Sequence, residues 1–196
     1  MPQELNGIRN ITISGRIASG TTTLAKNISK ELDWDLLEGG ELFRKFHEEH
    51  LDDSSEIAVN KRPDDFDLQY ENKIKDILKN DIHRIIQSHL SGFDAQGIDG
   101  IFKILVICED DRGEDHADIR IDRLVNRKKI SVDIAKKEIV ERENNNLEKW
   151  RRMYAKGDKN WVYWDPKYYD LVINTYFNDA DSSFKKVMEA LKKYKA

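Results

Sequence analysis

The sequence predicts an α/β protein whose parallel sheet is flanked by helices. Short runs of β-branched and other apolar residues alternate with longer segments in which apolar residues recur at helical spacing. Residues 101–108 are almost continuously apolar, which is typical of a strand buried on both faces. This alternation favours parallel strands joined by helical crossovers. A chain of 196 residues suits one domain with a proper core, so we expect a single domain over 1–196.

Five strands and four regular helices are predicted in chain order. The strands centre on 11–14, 36–37, 85–86, 101–108 and 169–174. The helices cover 22–32, 41–49, 66–80 and 181–193, and 52–65 is predicted as a loop because it is polar and contains Pro63. A further stretch, 133–154, is strongly charged and has few apolar anchors. It predicts either a solvated helical arm or a mobile lid.

Composition excludes several classes of protein. Hydrophobic residues make up 39% of the chain and charged residues 36%, and no apolar run approaches the roughly 20 residues that a membrane span needs. The net charge of −4 argues against non-specific binding to nucleic acid. A polar N-terminus and the single Cys108 fit a reducing compartment. We therefore expect a cytoplasmic monomer or weak dimer without membrane or nucleic-acid partners.

The stretch ITISGRIASGTTTLAK, residues 11–26, looks like a phosphate-binding loop that lacks its lysine. Gly15 and Gly20 have the spacing of G-x-x-x-x-G-K-[ST], Thr21 stands at the lysine position, and Thr22 stands at the Mg²⁺-binding hydroxyl position. Backbone N–H groups of such a loop and the positive end of the next helix attract anions. We call residues 15–22 the phosphate loop. Its predicted nucleotide-binding residues are Gly15, Ala18, Ser19, Gly20, Thr21 and Thr22, the last also as the metal-binding residue. The alternative is a plain glycine turn before a helix.

Arg16 is a candidate replacement for the missing lysine because it lies inside the phosphate loop. Charge neutralisation supplies much of phosphoryl-transfer catalysis. We therefore predict that Arg16 is catalytic and contacts the β- or γ-phosphate. The alternative is a loop residue that faces solvent.

The phosphate loop, the stretch LLEGGELFRKF (36–46) and the stretch YYDLVINT (168–175) together resemble the cytidylate kinase family in its short archaeal-like form. The resemblance covers about 11–190. It implies a P-loop nucleoside monophosphate kinase-like fold with five parallel strands, an acceptor-binding arm at about 38–80 and a lid at about 109–155. It also implies transfer of the γ-phosphate of ATP to CMP or dCMP with Mg²⁺.

The resemblance implies further site residues in the arm and the lid. Arg44 matches the family arginine that holds the acceptor phosphate, Asp67 matches an aspartate of the arm, and Arg142 matches another family arginine. Arg123 and Arg127 are the predicted catalytic arginines of the lid, where they recur with Arg120 on one helical face. The alternative for this basic stretch is a solvated helix paired with the acidic run before it.

Several positions depart from the family pattern. Gln87, Ser88 and His89 stand where the family has an acid-glycine-arginine triplet, and His89 is predicted to donate a hydrogen bond to the acceptor phosphate. Glu71 and Asn72 replace an acid–arginine pair, and 144–147 replace further acid and arginine positions. These changes leave two alternatives to an active cytidylate kinase. One is a catalytically impaired nucleotide-binding protein, and the other is a kinase for another small acceptor.

Overall fold

The computed structural model describes the backbone and side chains of residues 1–45 and 63–194 and the backbone of 46–50. Its centre is a five-stranded sheet in the order β2-β3-β1-β4-β5, and every pairing is parallel. The strands are β1 Asn10–Gly15, β2 Asp35–Glu38, β3 Arg84–Gln87, β4 Ile101–Ile107 and β5 Leu171–Asn174. The predicted five-stranded parallel sheet is confirmed, although β5 begins two residues later than predicted because a 3₁₀ turn, Pro166–Tyr168, precedes it.

Eight α-helices lie in the described parts of the chain. They are α1 Thr21–Leu32, α2 Gly39–His50, α3 Asp64–Asn80, α4 Ser91–Asp94, α5 Ala117–Lys128, α6 Val132–Lys136, α7 Arg142–Tyr154 and α8 Ala180–Lys193. A π-helical turn, Lys137–Glu141, joins α6 to α7. The predicted loop over 52–65 lies mostly outside the described residues, and its last two residues already belong to α3. No helix in the described ranges is long and apolar enough to cross a bilayer.

The two faces of the sheet are covered by different helices. On one face Ile11 and Ile13 of β1 pack with the apolar sides of α1 and α8. On the other face Ile86 of β3 packs against α3, where Ile74 and Leu78 are fully buried. Each such side chain contributes about 1.5–3 kcal/mol when it leaves water. All six residues of β1 are buried, so the phosphate loop projects from the most enclosed strand of the sheet.

The charged stretch 133–154 is packed along one side rather than solvated all round. Ala135 and Ile139 lie in a small apolar cluster with Leu124 of α5 and Ile17 of the phosphate loop. Trp150 of α7 lies in a second apolar cluster with Leu90, Leu147 and Tyr163. The prediction of a free solvated arm is therefore wrong for the packed side of this segment. Its apolar residues are few, but their spacing places them together on the side that faces the rest of the protein. Its role as a lid stays a prediction.

Candidate nucleotide-binding site

The phosphate loop has the strand–turn–helix shape that its motif requires. It leaves β1 at Gly15, and α1 begins at Thr21 directly after Gly20, whose φ of 111° is a conformation that favours glycine. A Cβ atom at Gly15 would lie 2.5 Å from the carbonyl oxygen of Val106, so only glycine fits there. The first turn of α1 has no side-chain cap. Its N–H groups and positive dipole end suit an anion.

A cavity of about 670 Å³ opens beside the phosphate loop. Its walls come from the loop, α1, α5 and the segment between β5 and α8, and the lining includes Ala18, Ser19, Gly20, Thr23, Asp122, Arg123, Asn126, Arg127, Thr175 and Asn178. The volume lies within the range of small-molecule sites. Two of the predicted catalytic arginines and three of the predicted nucleotide-binding residues therefore line one cavity.

Arg123 joins α5 to the phosphate loop through Thr175. Its guanidinium donates to the hydroxyl and to the carbonyl oxygen of Thr175, each at 2.9 Å. The Thr175 hydroxyl in turn donates to the carbonyl oxygen of Ser19 at 2.8 Å. Arg127 lies one turn further along α5, where it is exposed. The fold thus fixes Arg123 at the cavity wall and leaves Arg127 in contact with solvent.

Arg16 is engaged by acidic side chains on the side of the phosphate loop that faces the predicted lid segment, which we call the lid side. Its Nε donates to Oε1 of Glu143 at 2.8 Å, a second nitrogen lies 3.2 Å from Oδ2 of Asp115, and the guanidinium stacks over Trp164 at 4.6 Å. The cavity lining does not include it. Contact with a phosphate would require the guanidinium to exchange these carboxylates for phosphate oxygens. The predicted catalytic role of Arg16 stays a prediction.

Arg120 and Glu143 hold the phosphate loop from the lid side. Arg120 is only 1% exposed and donates to Glu143 at 3.1 Å, to Asp115 at 2.7 Å and to the carbonyl oxygen of Ile17 at 2.8 Å. Oε2 of Glu143 accepts from the N–H of Ile17 at 3.3 Å. Sequence reasoning missed Glu143. Its position four residues after Ile139, on the buried side of the helix, is the signal that could have indicated it.

The helix side of the phosphate loop is neutral. Nε2 of Gln87 donates to the hydroxyl of Thr21 at 3.2 Å, and the hydroxyl of Thr22 donates to Oε1 of Gln87 at 3.5 Å. Gln87 reaches both threonines because it ends β3, next to Ile13 of β1 in the parallel register. Thr21 is buried, so it packs inside the loop instead of projecting toward solvent.

His89 contacts the phosphate loop at Gly15, where the loop leaves β1. Its Nδ1 lies 2.9 Å from the carbonyl oxygen of Gly15, and because a carbonyl only accepts, we assign the ring hydrogen to Nδ1. The rings of Trp150 and Tyr163 pack around the imidazole. This burial lowers the pKa of His89, so the neutral form is favoured. The predicted hydrogen bond from His89 to an acceptor phosphate stays a prediction.

The other predicted acceptor-binding residues differ in their surroundings. Arg44 on α2 is exposed, and Arg142 is exposed and lies 3.1 Å from Glu138 in an ion pair. Asp67 is buried and forms an ion pair with Lys149 of α7. The exposed arginines are accessible to a ligand, whereas Asp67 contributes to the contact between α3 and α7.

A buried pair of carboxyl groups lies next to Asp67. Glu71 of α3 and Asp94 of α4 contact each other, and Lys75 lies 3.4 Å from Asp94. Burial raises the pKa of Glu71 well above its usual range, with Asp94 as the next cause, and burial also raises the pKa of Asp94. Sequence reasoning missed this pair. The available signal is that Asp67 and Glu71 share the buried face of α3 with Ile74.

The loop residues fit a magnesium ion that is held mainly by a nucleotide. Among the described side chains, no three metal-ligating groups of the His, Cys, Asp and Glu types come together. Mg²⁺ in phosphoryl-transfer sites usually takes one or two protein ligands and completes its shell with phosphates and water. The half-buried hydroxyl of Thr22 at the start of α1 suits that arrangement. A cage made entirely of protein ligands does not fit.

The chain resembles known proteins over most of its length. Residues 10–176 match the model of the cytidylate kinase-like family. A cytidylate kinase of Methanosarcina mazei is 30% identical over 167 residues, which cover 84% of this chain and 86% of that protein. A cytidylate kinase of Haloarcula marismortui is 27% identical over 187 residues, covering 94% and 90%. The resemblance predicted from the sequence is confirmed, and with it a nucleoside monophosphate kinase class of phosphotransferase.

Solved structures confirm the fold. A shikimate kinase from Bacteroides thetaiotaomicron superimposes with a TM-score of 0.59 at 14% identity and covers 94% of this chain and 98% of that one. A gluconokinase from Sinorhizobium meliloti gives a TM-score of 0.58 at 11% identity, covering 95% and 93%. At such low identity these likenesses concern the fold alone.

Proposed function

Because the chain belongs to the cytidylate kinase-like family, we propose that it transfers the γ-phosphate of ATP to CMP or dCMP with Mg²⁺, in the cytoplasm. The observation that carries the proposal is the cavity beside the phosphate loop, which Arg123 and Arg127 line from α5. It combines an anion-binding helix end with two arginines, beside the carboxylates of Asp122 and Asp179, and has the volume for a small molecule such as a nucleoside.

Phosphoryl transfer depends mainly on positioning and on charge stabilisation, so the protein needs little covalent chemistry. The N–H groups of the phosphate loop would bind the phosphates of ATP. Arg123 and Arg127 would offset the negative charge that spreads over the transferred group. Mg²⁺, when bound, would supply further neutralisation, with Thr22 as its protein ligand. Closure of the lid segment would exclude water that otherwise hydrolyses ATP.

The acceptor side of the proposal uses the residues that the family resemblance implies. Arg44 and Arg142 are exposed and carry the guanidinium forks that suit a monophosphate. Asp67 would act from the arm, and His89 would reach the acceptor from beneath the phosphate loop. Arg16 would join the donor phosphates after it leaves Glu143, to which it donates in this structure.

An acceptor panel tests the proposal. A coupled ATP-consumption assay would compare CMP, dCMP, UMP and AMP at equal concentrations with Mg²⁺ present. We expect the highest kcat/KM with CMP or dCMP. If none of the four acceptors supports ATP consumption, the proposal is contradicted and an impaired nucleotide-binding protein is favoured. A preference for UMP or AMP would contradict the proposed acceptor, CMP or dCMP.

A further inference from the structure

We propose that Gln87 positions the hydroxyl of Thr22 for Mg²⁺, and that Thr21, at the position of the missing lysine, fixes the orientation of the Gln87 amide. The inference rests on the proposed binding of a magnesium–nucleotide. It assigns a role to Thr21 and Gln87, the two positions at which the chain lacks the motif lysine and the family acid. It also links the two replacements, because each side chain depends on the other.

The donor and acceptor order of the three side chains supports this role. A hydroxyl oxygen that faces a cation must direct its hydrogen away from the cation. The Thr22 hydroxyl donates this hydrogen to Oε1 of Gln87, at 3.5 Å. The other end of the amide then presents only hydrogen-bond donors. The hydroxyl of Thr21 accepts from it at 3.2 Å. The chain of bonds from Thr22 through Gln87 to Thr21 therefore leaves the lone pairs of Thr22 for the metal.

The hydrogen-bond donors and acceptors at positions 21 and 87 also explain why the motif lysine and the family acid are absent together. A lysine at position 21 would offer only donors and could not accept from the Gln87 amide, whereas it would pair well with a carboxylate. Conversely, a carboxylate at position 87 beside Thr21 would add an unpaired negative charge next to bound phosphates. Thr21 is buried, which makes such a mismatch costly. A neutral hydroxyl–amide pair removes both charges and keeps the hydrogen bonds satisfied.

Calorimetry of ADP binding tests the inference without relying on turnover. The quantity to measure is the Mg²⁺ enhancement, which is the Kd for ADP without Mg²⁺ divided by the Kd with Mg²⁺. We expect Gln87→Leu to lower this enhancement about tenfold and to leave the Mg²⁺-free Kd nearly unchanged, because one hydrogen bond to the polarised hydroxyl is lost. Thr21→Val should lower it about threefold, since it acts only through Gln87.

Two further variants make the test specific. The double variant Thr21→Val with Gln87→Leu should show the same enhancement as Gln87→Leu alone, because Thr21 has no role once the amide is gone. Gln87→Glu should keep or increase the enhancement, since its carboxylate also accepts from Thr22, but its Mg²⁺-free Kd should rise because the added charge repels the phosphates of ADP. It provides a folded comparison if the leucine variant does not fold. Gln3→Leu is the matched control, because Gln3 also donates a hydrogen bond from its amide, in this case to the backbone carbonyl of Glu31, but is remote from the loop.

The possible results separate this inference from the proposed function. If Gln87→Leu keeps the full enhancement, the role of Gln87 is overturned and the kinase proposal stays intact. The same holds if the double variant loses the product of the two single losses, because the two side chains would then act independently. Wild-type protein that binds neither ADP nor ATP would contradict the proposed function as well. A loss of Mg²⁺-free affinity equal to the loss of Mg²⁺-bound affinity would also overturn the inference, since it would show general damage to the loop.

Discussion

The two sides of the phosphate loop have opposite chemistry. On the lid side, Arg16 and Arg120 meet Glu143 and Asp115 in a network of ion pairs. On the helix side, the contacts between Thr21, Thr22 and Gln87 are all neutral. The position of the motif lysine carries no charge, whereas the other end of the loop is flanked by two arginines that are paired with carboxylates in this structure. Arginine side chains therefore remain close to the loop although the motif lysine is absent.

Removal of Arg120 should have the largest effect on stability. Arg120→Met should lower the free energy of unfolding by about 3–5 kcal/mol, because it leaves the buried carboxylate of Glu143 without one of its partners. Urea denaturation monitored by tryptophan fluorescence measures the change. The control is Arg142→Ala, whose exposed ion pair should contribute at most about 1 kcal/mol. Equal effects of the two substitutions would contradict a structural role for the lid-side network.

Loss of Arg123 should affect ligand binding more than stability. Arg123→Ala is expected to weaken ATP binding about tenfold or more, since charge-assisted hydrogen bonds contribute about 1.5–3 kcal/mol each. Calorimetry in the absence of an acceptor isolates this step. Arg112→Ala, in the exposed acidic run, removes the same charge away from the cavity and should leave the Kd unchanged. An unchanged Kd for Arg123→Ala would remove the cavity from the proposed donor site.

The buried acid Glu71 of α3 should make stability fall as pH rises. The folded state holds the proton of Glu71 more tightly than the unfolded chain does, so stability is lost between the ordinary pKa near 4.5 and the raised pKa. Glu71→Gln should flatten this part of the profile and gain stability over wild type by about 1 kcal/mol near neutral pH. Urea midpoints at several pH values measure it. The exposed substitution Asn72→Gln, on the same helix, should keep the wild-type slope. A slope for Glu71→Gln as steep as that of the wild type, or steeper, would contradict the assignment.

The histidine below the phosphate loop should have the opposite and smaller effect. Burial lowers the pKa of His89, so the unfolded chain binds a proton more readily and stability falls as the pH drops below about 6.5. His89→Gln should reduce that loss by a fraction of 1 kcal/mol, because glutamine does not titrate in this range. The same urea series, extended to acidic pH, provides the measurement. A wild-type slope in the His89→Gln variant would show that His89 does not cause the acid sensitivity.

Much of the fold could be predicted because local pattern and burial agree in the strands. The apolar runs of β1 and β4 match their predicted positions closely, and the glycines at 15 and 20 mark the phosphate loop. The lid segment was harder to predict. Its buried residues include Glu143 and Lys149, whose charges suggest a solvated face, yet their partners lie far away in the sequence.

The candidate site was predictable only where a motif specifies it. Ala18, Ser19 and Gly20 of the phosphate loop line one cavity with Arg123, and their roles there stay predictions. The contacts of Arg16 with Glu143 and of Gln87 with Thr21 join residues more than sixty positions apart. Such pairs depend on the parallel register of β1 and β3 and on the packing of α7, which local patterns do not encode.

Direct analysis of the products tests the central claim that a phosphate loop without lysine supports phosphoryl transfer. Purified protein would be incubated with ATP, CMP and Mg²⁺, and all nucleotides would be separated and quantified over time. We expect ADP and CDP to appear together in a one-to-one ratio. Formation of neither product, or of ADP without CDP, would contradict it.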